Sequence, residues 1–203
     1  TKEIILLGQN VNAYNYDKYR LSDLVYSLEK ITDLKRIRYT TSHPKDFTED
    51  LIEAHANCKK LMPLLHLPVQ SGSTNILKKM NRGHTIEDYL KIIEKLKLKN
   101  SKLKFSSDFI IAYPEETMFD FKDTLKLMKQ VNFINSYSFI YSPRPGTPAA
   151  NLKEIDLYTA KQRLVEFQSL ADQIKKDFRN KLVGQFVRVL FENKAKKENT
   201  YFG

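Results

Sequence analysis

Five apolar, strand-like runs recur along this chain, and each is followed by a stretch with helical spacing of its apolar residues. EIILLGQNV precedes SDLVYSLEKI, where Leu24, Val25, Leu28 and Ile31 share one helix face. RIRYTTS precedes DFTEDLIEAHANCKKL, with Thr48 placed as an N-cap before Glu49 and Asp50. LMPLLHLPVQ precedes ILKKMNR and IEDYLKIIEKLKL; LKFSSDFIIAY precedes MFDFKDTLKLMKQV; SYSFIYSPRPG is the fifth run. The connections are long enough for crossover helices, so the pattern implies a parallel sheet with right-handed crossovers. Functional groups in such folds gather on loops at the carboxyl ends of the strands.

A long helix is expected from about Thr159 to Leu182, with Ala160, Leu164, Phe167, Ala171, Ile174, Phe178 and Leu182 as its packing stripe. After Gly184, QFVRVLFEN alternates like a strand and KAKKEN reads as a basic turn into TYFG. The stretch 184–203 has roughly 20 residues, too few for a domain of its own. Thr1 opens directly on a strand-like run and reads as an interior cut.

The chain has one cysteine, Cys58, which excludes an internal disulfide framework and suits a reducing, cytoplasmic setting. Lys and Arg total 34 against 24 Asp and Glu, a formal charge of +10 that favours a polyanionic partner such as RNA. No apolar run approaches the roughly 20 residues needed to span a bilayer, so no membrane partner is expected. Phosphate-binding GxxxxGK[ST] loops, GxGxxG turns and GxSxG elbows are absent. His55, His66 and His84 lack metal-ligand spacing and Cys/His zinc patterns are absent, so no metal site is assigned, and no catalytic side chain is assigned either.

Candidate ligand groups lie at the strand ends. Gln9 and Asn10 follow the first strand, and Ser42 and His43 the second. Gln70, Ser71 and Ser73 sit in PVQSGS, a strand-to-helix turn that either surrounds a polar ligand or merely caps the next helix. Arg82 is placed to pair with a carboxylate or to form a surface salt bridge. Glu116, in AYPEET, either orients its loop or accepts a hydrogen bond from a ligand. In SPRPGTP two prolines stiffen the loop that carries Ser142 and Arg144, which lowers the entropy cost of presenting the arginine to a phosphate.

Together LLGQNVNAY, RIRYTTSHP, HLPVQSGS, KKMNRGHT, DFIIAYPEET and SFIYSPRPGTPAA resemble the tRNA methylthiotransferases of the radical-SAM superfamily, and most closely the MiaB-type branch acting on N6-dimethylallyladenosine. The resemblance implies an α/β fold: an incomplete, TIM-like parallel barrel with a long helix over residues 1–183, then the β-hairpin start of a TRAM domain over 184–203. It implies S-adenosyl-L-methionine (SAM) and [4Fe–4S] clusters as cofactors, tRNA as partner, and methylthiolation at C2 of the modified adenosine 37.

By the same resemblance, Gln9, Asn10, Ser42, Gln70, Ser71, Ser73, Arg82 and Glu116 line the SAM site, while His43, Ser142 and Arg144 face the substrate RNA. The family's CxxxCxxC loop, the strand before it and the cysteine-bearing N-terminal half are not in this sequence, so the chain alone is expected to be inactive and to expose the edge of its first strand. The rivals are a subunit completed by a separate cysteine-bearing polypeptide, and a non-catalytic RNA-binding barrel. Where the family usually carries Gly, this chain has Ala112 and Glu115. If either position needs a left-handed backbone, a side chain there costs about 1 kcal/mol.

Overall fold

The computed structural model describes residues 1–40 and 42–202, so Thr41 of the YTTSHP motif and the closing Gly203 lie outside it. In chain order the elements are β1 (Glu3–Leu6), the small hairpin β2 (Asn15–Tyr16) and β3 (Tyr19–Arg20), α1 (Leu21–Glu29), β4 (Arg36–Tyr39), α2 (Glu49–Asn57), β5 (Leu64–His66), α3 (Thr74–Lys79), α4 (Ile86–Lys99), β6 (Lys104–Ile111), α5 (Met118–Val131), β7 (Asn135–Ile140), α6 (Leu157–Asn180), and a terminal hairpin of β8 (Asn193–Lys194) and β9 (Tyr201–Phe202). α4 and α5 each start at a threonine whose hydroxyl accepts the N3 amide while an aspartate returns the bond, Thr85 with Asp88 and Thr117 with Asp120. Thr48 takes the expected N-cap position of α2, although its side chain makes no capping bond.

β1 pairs in parallel with β4, and β5, β6 and β7 form a second parallel set in that order. A parallel bridge between Ile37 and Leu61 joins the two: Ile37 N donates to Lys60 O at 2.8 Å, and Met62 N donates to Ile37 O at 3.0 Å. The result is the expected parallel arc, β1-β4-β5-β6-β7, an incomplete barrel wall. Side chains alternate across it. Ile37, Tyr39, Leu65, Phe105, Phe109 and Ile111 are buried on one face, beneath the helices. Phe109 is wedged between Phe133 and Phe167, with ring centroids 5.5 and 4.8 Å away, and this locks α6 to β6.

α6 spans nearly the expected residues, and Ala160, Phe167 and Ile174 of its stripe are buried. The tail differs from expectation. Residues 185–192 belong to no strand, because in this arrangement only Asn193–Lys194 finds a partner, at Tyr201–Phe202. A strand's alternation supplies a face but not the neighbour that makes a ladder. Among the described residues no helix is long and apolar enough to cross a membrane.

One core contact carries a pH dependence. Tyr39 Oη and His55 Nε2 lie 2.5 Å apart in the core, and the imidazole stacks on Phe47. Burial holds His55 down to about 4. The unfolded chain takes up this proton near pH 6.5, so the contribution of neutral His55 is complete above that pH and is lost as pH falls toward 4. Between pH 6.5 and 5 the loss is expected to reach about 2 kcal/mol. Urea unfolding across this window should show the slope, reduced in a His55→Gln variant; an equal slope in the variant would assign the effect elsewhere.

Candidate functional site

The loops that leave β1 and β4 are tied to each other at the mouth of the arc. Asn12 Nδ2 donates to His43 O at 2.8 Å, and His43 N donates to Asn12 Oδ1 at 2.7 Å. Asn10 Nδ2 donates to Asp46 Oδ2 at 2.6 Å, and His43 Nδ1 accepts from Lys45 N at 3.1 Å, capping the turn Pro44–Asp46. The His84 ring stands edge-on to that of His43, with centroids 5.8 Å apart. Burial, helped by the charges of Arg82 and His84, holds His43 down to about 4. Arg82 donates to Pro68 O at 3.3 Å, and burial lowers its own pKa against the opposing charge of Asp108.

This cluster brings Asn10, Ser42 and His43, from the loops after β1 and β4, together with Arg82 from the turn between α3 and α4. Asn10 Oδ1, Ser42 Oγ, Arg82 Nε and His84 Nε2 are buried there without a partner among the described residues. Each unmade bond of this kind costs about 1–3 kcal/mol, so a ligand that supplies the missing partners is favoured. Gln9 lies exposed at the rim. Asn12, Asp46 and His84 join the cluster without a sequence signal of their own, although QNVN, HPKD and NRGHT place them near Asn10, His43 and Arg82.

The PVQSGS turn divides. Gln70 is left-handed, at φ 78°, and its backbone still pairs with β6: its N–H donates to Asp108 O at 3.0 Å and its carbonyl accepts from Ile110 N at 2.9 Å. Holding a side chain in that conformation costs about 1–3 kcal/mol. Ser71 and Ser73 are buried and turned toward α5 instead. Ser71 Oγ lies 3.4 Å from Thr124 Oγ1, while Ser73 Oγ donates to Asp120 Oδ1 at 2.5 Å and accepts the Ile76 amide at the start of α3. Their bonds hold the turn in place.

Glu116 is also buried. Its Oε2 accepts from Arg163 Nη1 at 2.7 Å and from Ala112 N at 3.1 Å, which fixes the loop after β6 to α6. Burial pushes its carboxyl above the usual range, and Arg163 pulls it back. Nothing in the sequence pointed to Arg163, which lies 47 residues away. Ser142 and Arg144 are exposed after β7, and Thr147 Oγ1 donates to Arg144 O at 2.8 Å to set the bend.

Ala112 and Glu115, the two positions where glycine was expected, both have left-handed backbones, at φ 57° and 63°. Glu115 also meets Lys79 at 2.8 Å on the surface. A Glu115→Ala variant loses that ion pair and keeps the strain, whereas Glu115→Gly loses the pair and relieves it. The glycine variant is therefore expected to be the more stable by about 1 kcal/mol, reversing the usual order. Thermal unfolding of the two variants decides it, and an alanine variant equal to or above the glycine one would show that the loop carries no strain.

An iron–sulfur cluster does not fit these residues. Cluster iron takes several thiolates; Cys58 is the chain's one cysteine, it is buried, and burial pushes its thiol up to about 11. Among the described residues no group of three or more His, Cys, Asp or Glu side chains is placed to hold a metal ion. The donor and acceptor set does suit the amino acid end of SAM: the Arg82 guanidinium can meet a carboxylate, and Asn10 Oδ1 and Ser42 Oγ are acceptors without partners among the described residues.

Comparison with known proteins identifies the family and the fold. The sequence profile of the radical SAM superfamily matches residues 1–128. A tRNA-2-methylthio-N(6)-dimethylallyladenosine synthase of Pelagibacter ubique is 58% identical over 100% of this chain and 46% of its own length. The protein of that name from Ruegeria pomeroyi is 48% identical over 100% of this chain and 47% of its own. The chain thus spans about half the length of the curated relatives it matches. Among solved structures, methylornithine synthase superposes with a TM-score of 0.58 at 15% identity, over 85% of this chain and 48% of its own. Coproporphyrinogen III oxidase of Escherichia coli, a radical SAM enzyme, gives 0.52 at 12%, over 85% and 53%.

Proposed function

The chain belongs to the radical SAM superfamily, and from that premise we propose that it forms the SAM-holding barrel of a tRNA methylthiotransferase acting on N6-dimethylallyladenosine. The observation that carries this reading is the mouth cluster, where four buried polar atoms lack partners among the described residues, Asn10 Oδ1 and Ser42 Oγ after β1 and β4, and Arg82 Nε and His84 Nε2 in the turn between α3 and α4. SAM would bring a methyl group and the family's radical chemistry; the chain's own residues hold and orient it. Arg82 takes the carboxylate, Asn10 Oδ1 accepts from the ammonium, Ser42 Oγ completes the set, and Gln9 and Gln70 close the rim. Ser71, Ser73 and Glu116 serve the same ligand by fixing the loops around it.

His43, Ser142 and Arg144 face the RNA in this reading, with the surplus of 34 basic over 24 acidic residues supplying phosphate contacts. Residues 1–183 form the barrel and its long helix, and 184–203 the opening of a TRAM domain, supported by the β8–β9 hairpin. The cluster thiolates must come from residues other than these, so no chemical step is assigned to this chain alone.

Calorimetry with SAM tests the reading. Weak binding is expected from the folded chain, falling at least tenfold in Arg82→Ala, as befits loss of a charged hydrogen bond worth about 1.5–3 kcal/mol. A folded chain that ignores SAM yet binds tRNA in a salt-sensitive way would replace this reading with a non-catalytic RNA-binding barrel.

A further inference from the structure

The segment Ala13–Arg20 is exposed throughout, yet it is folded. β2 and β3 pair antiparallel, Asn15 opposite Arg20 and Tyr16 opposite Tyr19, and Asp17 makes the turn at φ 53°, a conformation that aspartate tolerates. A lone two-stranded hairpin is marginal in water, so its base must be tied down. Arg20 does this. Its N–H donates to Asp23 Oδ2 at 2.8 Å, and its guanidinium donates to Asp50 Oδ1 at 3.3 Å, in the first turn of α2. Ser22 Oγ donates to the other oxygen of Asp50. On the opposite side Tyr14 N donates to Val11 O at 3.1 Å, and the neighbouring Asn12 is bonded twice to His43. The hairpin is thus a braced projection beside the mouth of the arc.

Opposed residues of an antiparallel pair put their side chains on one face, so Tyr16 and Tyr19 share a face of the hairpin. Neither ring belongs to the core: they are 66% and 50% exposed. Lys18 Nζ lies 5.9 Å from the centre of the Tyr19 ring. Lys45 is exposed in the turn that His43 caps. Among the described residues neither lysine makes an ion pair. Open aromatic faces with unpaired cations beside them select among partners. An apolar protein or lipid surface would cover the ammonium groups without replacing their hydrogen bonds to water. A nucleic-acid duplex offers phosphates but keeps its bases stacked on one another. An unpaired strand supplies both halves, bases for the rings and phosphates for the lysines.

We infer that the β2–β3 hairpin is a fingertip for unpaired RNA, in which Tyr16 and Tyr19 each stack a base while Lys18 and Lys45 hold the phosphates alongside. Every base has a face to stack, so the fingertip positions a strand at the mouth and does not read its sequence. This rests on the reading that RNA is the chain's substrate, but it uses none of the residues assigned above to SAM or to RNA.

The test uses the full chain, a short single-stranded RNA, and the same strand annealed to its complement. The single strand is expected to bind more tightly than the duplex, and to lose about fivefold or more in affinity for each ring removed in Tyr16→Ala and Tyr19→Ala. Both rings are exposed, so the melting temperature of these variants should match the parent's. Lys18→Ala should lower the slope of log affinity against log salt by about 1. The chain has no tryptophan, so Tyr19→Trp places a lone indole at the tip. It should keep the parent's affinity, and stacked bases should quench its emission. Parent-like affinity in the double alanine variant, equal binding of single strand and duplex, or indole emission unchanged at saturating RNA would overturn the fingertip. So would an indole that is buried without RNA as protein concentration rises, which would make the hairpin a contact between copies of the chain. A SAM titration of the same sample separates the two claims. Quenching by RNA without SAM binding leaves the fingertip standing and sinks the SAM reading, and the reverse sinks the fingertip alone.

Discussion

Replacing Gly72 with alanine is expected to destabilise the protein by about 3 kcal/mol, enough to lower its melting temperature by roughly 6–12 °C. The reason is space. A Cβ at position 72 would lie 2.4 Å from Thr124 Cα, 2.6 Å from Asp123 O and 2.7 Å from Thr124 N, all of them backbone atoms of α5. No rotamer change clears them, so either the turn or the helix must move. The turn cannot move freely, because Gly72 N donates to Thr124 Oγ1 at 2.9 Å and Ser73 Oγ to Asp120.

A Thr124→Ala variant separates the bond from the space, since it removes the hydroxyl but leaves the helix backbone where it is. Its cost should be about 1 kcal/mol, the ordinary value of one hydrogen bond. Guanidinium unfolding of both variants measures the difference. A Gly72→Ala cost no larger than that of Thr124→Ala would show that the turn has room to retreat. Because the same turn leads from Gln70 to α3, the glycine variant should also weaken SAM.

The two kinds of glycine question in this chain explain how much of it was legible. Ala112 and Glu115 stood out against a family pattern, and their left-handed backbones follow from torsion, a local property that sequence reports well. Gly72 is needed for close approach to a helix some 50 residues on, which no local pattern reveals. The same division runs through the rest. Alternation and helical spacing located all five strands of the arc and every long helix, because each signal lies within one element. The β2–β3 hairpin, with two residues per strand, is too short to alternate.

At the candidate site, strand-end position identified the loops but not the direction of each side chain. Ser71 and Ser73 look like ligand hydroxyls until Thr124 and Asp120 are brought beside them. His66 and Asp108, which read as ordinary strand residues 42 positions apart, meet only through the register of β5 on β6.

Arg163 makes the strongest case of this kind. Replacing it with methionine keeps most of its volume against Phe121, whose ring lies 5.6 Å from the guanidinium carbon, and removes the charge. What remains is a carboxylate, Glu116, buried with one backbone donor, Ala112 N. Breaking a buried pair from one side costs about 3–5 kcal/mol, because the surviving charge has lost its compensation. The loss should depend on pH. A buried acid without its cation binds a proton more readily in the folded state than in the unfolded one, so stability is greatest below the unfolded carboxyl value, near 4.3, and falls as pH rises through the elevated folded value. Arg163→Met should therefore regain stability between pH 7 and 5, where His55 makes the parent protein lose it. The double variant Arg163→Met, Glu116→Gln should recover much of the loss at pH 7 and show no such regain. A single variant whose stability tracks the parent across that range would mean that Glu116 finds another partner. If instead the regain appears, α6 governs the loop after β6 through one ion pair, and SAM affinity in Arg163→Met should rise and fall with the same pH.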